Sequence, residues 1–118
     1  MQERRNYPRL PLNQEAKLFL ENRINPIICV VEDISPLGVR ITLRKRLFPE
    51  AFAKFNLVLS ETLSLDIGAS VIWEDSFEGG STYGLSFNQI EEKGKEKLVR
   101  LVEEGFLERL KEKWWNGL

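Results

Sequence analysis

A chain of 118 residues, 42% hydrophobic and 30% charged, is long enough for one packed core, too short for two, and too apolar to be a disordered polymer. Its net charge of −1 excludes a surface built to coat nucleic acid, so any anion it binds must be held by a local cluster of positive charge. With no histidine and Cys29 as its single cysteine, it can form no intrachain disulfide, no zinc site of ordinary type and no His-dependent nucleophilic triad.

Residues 1–13 are polar and basic and include Pro8 and Pro11. Each proline lacks an N–H and restricts the residue before it, so this segment is expected to be a flexible, arginine-rich leader. Residues 14–118 are expected to form one domain. Glu15 to Leu20 partly alternates in polarity. Ile27 to Val31 is a β-branched-rich run between Asn25-Pro26 and Ser35-Pro36, and Val39 to Leu43 alternates with period two. Residues 27–33 and 39–43 therefore read as a hairpin whose loop contains Ser-Pro-Leu-Gly. Cys29, inside the first of these runs, reads as a small buried hydrophobe.

Residues 44–54 read as a loop with a short helical turn at Pro49-Glu50-Ala51-Phe52. Phe55 to Leu59 and Leu63 to Ile67 alternate. Ala69 to Trp73 continues the second of these past Gly68, where a bulge or a sharp bend is expected. Glu74 to Ser81 reads as a polar turn and Thr82 to Phe87 as a final strand. Six or so short strands without intervening helices favour an antiparallel barrel or sandwich. From about residue 91 the period becomes helical, with Leu98, Leu101, Val102, Leu110 and Trp114 on one stripe and Phe106 and Leu107 widening it. Gly94 and Gly105 each weaken such a helix by about 1 kcal/mol relative to Ala, and Gly105 marks a break or a close-packing point. The helix is expected to cover an opening or edge of the sheet. Trp114 and Trp115 are adjacent and so point to different sides of it. Phe19, Phe55, Phe77 and Phe87 read as core or edge packing.

No acidic pair stands out among the 18 Asp and Glu, and the chain reads as a binder, not an enzyme, with no metal or cofactor. The N-terminus has no apolar core of a secretory signal, and no stretch approaches the roughly 18 apolar residues of a membrane span. A cytoplasmic location with no membrane insertion is expected.

Two features carry chemistry. In Arg4-Arg5-Asn6-Tyr7-Pro8-Arg9, the guanidinium groups are permanently charged planar forks. They can grip a phosphate, or O6 and N7 of a guanine, and can stack on a base. In Asp33-Ile34-Ser35-Pro36-Leu37-Gly38, proline and glycine suit a tight turn. There an ionised Asp33 is an acceptor for guanine N1–H and N2–H₂, Ser35 offers a hydroxyl, and Gly38 allows close approach to the backbone. Read singly, the first is a solvated basic tail and the second a plain turn.

Together, Arg5-x-x-x-Arg9 and Asp33-x-Ser35-x-x-Gly38, about two dozen residues apart, resemble the paired signature of PilZ domains, bacterial second-messenger receptors for cyclic di-GMP. Pro8-Arg9-Leu10-Pro11, Val71-Ile72-Trp73 and Gly84-Leu85-Ser86-Phe87 are similar to further family segments. The resemblance implies a mainly β fold, a six-stranded antiparallel barrel with a C-terminal α-helix. It implies that Arg5 and Arg9 wrap over the ligand from the leader and that Asp33, Ser35 and Gly38 receive a guanine and its phosphate. Arg4, just before the motif, implies two ligand molecules per chain, and Trp73 adds a stacking or packing surface. Signalling would pass through a separate downstream protein. Two other readings compete: a protein-interaction module of the same fold that binds no nucleotide, and a single-stranded nucleic-acid-binding barrel. The second calls for basic and aromatic residues interleaved along the strands, whereas here the signature arginines are gathered in the leader.

Overall fold

The computed structural model describes residues 8–117, with side chains through residue 108. Six strands alternate in polarity and close on themselves: β1 (Leu10–Leu20), β2 (Ile27–Ser35), β3 (Gly38–Leu43), β4 (Phe55–Ser60), β5 (Leu63–Phe77) and β6 (Gly80–Ile90). Their order around the barrel is β1-β2-β3-β6-β5-β4, every neighbouring pair is antiparallel, and β4 returns to pair with β1. Closure removes the free sheet edges that an open sheet of this size would expose. A 3-10 turn, Pro49–Phe52, links β3 to β4, and one helix, α1 (Glu92–Gly117), follows β6.

The period-two pattern sends Leu18, Val31, Ile41, Leu57, Leu65 and Leu85 into the interior, where all are fully buried. Burying such a side chain contributes roughly 1.5–3 kcal/mol. Phe52 seals one part of this core with its ring centroid 5.0 Å from that of Tyr83 and 5.8 Å from that of Phe55. The buried Tyr83 hydroxyl donates to the Leu47 carbonyl (2.9 Å) and accepts from the Leu47 amide (2.7 Å), which settles its hydrogen bonding. Cys29 is buried among these residues, and burial pushes its thiol up to about 12.

Several boundaries differ from the sequence reading. Residues 10–13, assigned above to the leader, open β1, because Leu10 and Pro11 pair with Ile34 and Asp33 of β2. The ladder slips between Pro11 and Gln14, where Asn13 takes a left-handed φ of 49°, and that bulge hides the strand's periodicity. Residues 74–77 and 80–81, read as a turn, are paired strand instead, and only Glu78 and Gly79 form the connection. The outward face of that hairpin is solvated, so its strand residues are as polar as those of a turn. The irregularity expected at Gly68 is there as a register shift between Gly68 and Ala69.

On α1, Leu98 and Val102 are buried and Leu101 and Phe106 pack against the core, whereas Leu107 is exposed and lies outside the stripe. Gly105 is a close-packing point: a Cβ there would lie 2.5 Å from the Leu10 side chain. Phe55 is buried and Phe19 and Phe87 are half-buried, but Phe77 is exposed, its ring lying beside Gly80. The side chains of Leu110, Trp114 and Trp115 lie outside those described.

Candidate functional site

The Asp33-to-Gly38 segment forms the end of the β2–β3 hairpin. Ser35 pairs with Gly38, so the connection is only Pro36-Leu37. The Ser35 hydroxyl accepts from the Leu37 amide at 3.1 Å, and the Phe87 amide of β6 donates to the Leu37 carbonyl at 2.9 Å. Pro36 and Gly38 are buried. The glycine is required by the neighbouring strand, since a Cβ on Gly38 would lie 2.3 Å from the Leu85 carbonyl oxygen. Sequence reasoning offered ligand access as the reason for this glycine; strand packing is sufficient.

The ladder between Val31 and Asp33 is shifted, and as a result both Glu32 and Asp33 face outward. Glu32 accepts from the Thr42 hydroxyl at 2.6 Å, and Thr42 is 2.9 Å from the Thr82 hydroxyl. Asp33 sits between two arginines. Arg9 Nη1 is ion-paired with its Oδ1, and Arg40 Nη2 lies 2.8 Å from its Oδ2. The Asp33 side chain is 11% exposed, against 45% for Arg9 and 42% for Arg40, so the carboxylate is enclosed while both cations keep part of their water. Such pairs are stronger than exposed ones, and their charge-assisted hydrogen bonds are worth about 1.5–3 kcal/mol each. Arg40 Nε is buried and has no hydrogen-bond partner among the described residues.

Strand register extends this contact into a row. Asp33 of β2 pairs with Arg40 of β3, Arg40 with Gly84 of β6, and Gly84 with Trp73 of β5. Directly opposed residues share a face, so these four line the outside of the barrel over three strand spacings, roughly 14 Å. Trp73 lies across Gly84, where any Cβ would fall 2.3 Å from its indole Nε1. It is 43% exposed. The next row, Ser35–Gly38–Ser86–Ser70, carries only small or absent side chains. The result is a low floor of serine and glycine. One end is bounded by the Arg9–Asp33–Arg40 cluster and the other by the indole face of Trp73. Such a surface suits a flat, anionic ligand with hydrogen-bond donors on one edge: the carboxylate takes the donors, the guanidinium groups take acceptors or phosphate, and the indole takes a ring face.

Of the residues singled out in the sequence, Arg9, Asp33, Ser35, Gly38 and Trp73 come together on this face. Arg4 and Arg5 lie outside the described residues. Sequence reasoning missed Arg40 and Ser86. Both sit on the polar face of an alternating strand, and Arg40 stands two residues after Gly38, so the same alternation that located β3 would have placed it beside Asp33. Among the described residues, no group of three or more Cys, Asp or Glu side chains could hold a metal ion, and no helix is long and apolar enough to cross a membrane.

Comparison with known proteins gives a family and a fold. The PilZ domain model matches residues 3–104. No curated protein matches the sequence. Among solved structures, K. pneumonia MrkH in complex with c-di-GMP superposes with a TM-score of 0.71 at 16% identity, over 96% of this chain and 57% of that one. Escherichia coli YcgR in complex with c-di-GMP gives 0.68 at 16% identity, over 98% and 50%. The Bacillus subtilis inhibitor of motility MotI/DgrA gives 0.65 at 16% identity, over 93% and 53%. The chain thus spans about half the length of these proteins, and at this identity the likeness is one of fold.

Proposed function

This chain belongs to the PilZ domain family, and from that premise we propose that it is a non-enzymatic receptor module for cyclic di-GMP, working in the cytoplasm. The observation that carries the reading is the Asp33 carboxylate held between Arg9 and Arg40 in one row with Trp73. Solved relatives of the same fold, MrkH and YcgR, are in complex with c-di-GMP, which supports the choice of ligand.

In this proposal Asp33 accepts from guanine N1–H and N2–H₂. Arg5 and Arg9 donate to the Hoogsteen edge and the phosphates, and Ser35 and the backbone at Gly38 meet the adjoining phosphate. Trp73 offers a face for stacking. Arg4 adds a further cation that would favour a second ligand molecule. Binding recruits the leader arginines and shifts the leader relative to the barrel, an order–disorder switch whose size is set by the ligand's differential affinity for the two states. Leu10, the residue after Arg9, packs on Gly105 of α1, so a leader shift has a physical route to the helix and from there to a separate partner protein. A micromolar Kd corresponds to about −8 kcal/mol, within reach of a few charge-assisted hydrogen bonds and one stacked base after ordering costs.

Calorimetric titration tests this. Saturable heat with cyclic di-GMP and none with GTP is expected, with binding lost in Arg5→Ala and in Asp33→Ala. A stoichiometry near two supports the role given to Arg4. A folded wild-type protein that gives no heat contradicts the receptor reading and favours an interaction module without nucleotide.

A further inference from the structure

We infer that Arg40 is a positioning residue for Asp33: it fixes one carboxylate oxygen so that the other, surrendered by Arg9, faces the guanine edge. The inference rests on the receptor reading above and deepens it.

The two arginines on Asp33 are not equivalent. Arg40 lies within β3, with its backbone paired to β2 on one side and β6 on the other. Arg9 precedes β1 and is held by no strand pairing. When a ligand arrives, the contact that can open without disturbing the barrel is Arg9 to Oδ1; the contact that stays is Arg40 to Oδ2.

An aspartate carboxylate turns readily about its last torsion, which is broad and roughly two-fold. Guanine presents N1–H and N2–H₂ side by side, and reading both requires an acceptor in one fixed orientation. The 2.8 Å contact from Arg40 supplies that orientation. Arginine suits the task because its fork is planar, rigid and always charged. Without Arg40, Asp33 would be left with Arg9 alone, which could then take both oxygens and hold the leader down against the incoming base.

A binding-selectivity experiment separates positioning from general damage. The probes are cyclic di-GMP and cyclic di-IMP, whose bases lack the 2-amino group that a well-aimed Asp33 would read. Both are titrated into wild type, Arg40→Ala, Arg40→Gln and Arg40→Lys, each checked for folding by its unfolding midpoint. A correctly placed polar contact discriminates by about tenfold, and the wild type is expected to prefer cyclic di-GMP by that factor. Arg40→Ala and Arg40→Gln are expected to bring the preference below about threefold, and Arg40→Lys, which keeps the charge without the planar fork, to restore part of it. Arg40→Gln keeps much of the side-chain volume and serves if Arg40→Ala does not fold. Variants that bind both dinucleotides more weakly by one common factor, with undiminished preference, would overturn the role of Arg40 while leaving the receptor reading intact. A folded wild type that binds neither dinucleotide would overturn the receptor reading and this role together.

Discussion

Three hairpins of this barrel turn on two residues each, and the connecting residues of two of them have contrasting surroundings. At the β2–β3 hairpin, Ser35, Pro36 and Gly38 are buried, the Leu37 carbonyl is bonded to β6, and Gly38 sits against the β6 backbone. At the β5–β6 hairpin, Glu78 and Gly79 are exposed, and Gly79 takes a φ of 95° with no neighbouring atoms where its Cβ would be. In the first, a connecting residue is itself bonded to a third strand; in the second only the flanking Gly80 meets one, at the Leu43 carbonyl of β3, and the connection is left to its own turn geometry. The candidate ligand groups gather beside the held turn. Asp33 and Ser35 are positioned there by packing that a surface loop could not supply, in keeping with sites built on rigid elements.

Substitutions at the two turns put that contrast under test. Gly38→Ala is expected to have the largest effect, about 3 kcal/mol of lost stability, because the added methyl meets a backbone carbonyl that cannot move without displacing β6. Urea unfolding measures it, and a loss below about 1 kcal/mol would mean that the turn is not clamped. Ser35→Ala removes the acceptor for the Leu37 amide and is expected to cost about 1.5 kcal/mol while also weakening cyclic di-GMP binding. Gly79→Ala strains only a left-handed residue, costs about 1 kcal/mol, and is expected to leave ligand affinity unchanged. If Gly79→Ala weakened binding as much as Ser35→Ala, the distinction between the two hairpins would fail.

The smallest effect concerns the inner face of β2. The Cys29 thiol is raised from 9.0 to about 12 by burial, so the folded state holds its proton more tightly than the unfolded chain. Its contribution is intact below pH 9.0 and is lost as pH rises toward about 12. Wild type is therefore expected to lose stability faster than Cys29→Ala between about pH 9 and about pH 10.5 in urea titrations. Parallel curves would contradict the burial of the thiol.

Strand alternation made most of the barrel legible: Leu18, Val31, Ile41, Leu57 and Leu65 all face inward as their spacing implies. The start of β1 was hidden, because Pro11 and the bulge at Asn13 break the period while β2 still pairs with the strand. The far half of the β5–β6 hairpin was hidden because its outward face is polar and reads like a turn. At the site, Asp33, Ser35, Gly38 and Arg9 could be nominated from motifs. No motif named Arg40, although the alternation of the β2–β3 hairpin puts it opposite Asp33; Ser86 could not be nominated at all, since its membership depends on which strand lies next to which. That β6 rather than β4 neighbours β3 is a property of the closed barrel, and no local pattern encodes it. The strand contact at Gly38 was invisible for the same cause.

The most direct measurement follows backbone amide and indole N–H resonances through a titration with cyclic di-GMP. The largest shifts are expected at Asp33, Ser35, Gly38, Arg40, Gly84 and the Trp73 indole, with Glu78 and Gly79 unmoved. Shifts confined to the β5–β6 turn, or none at saturating ligand, would contradict the placement of the site on the Asp33–Arg40–Gly84–Trp73 row.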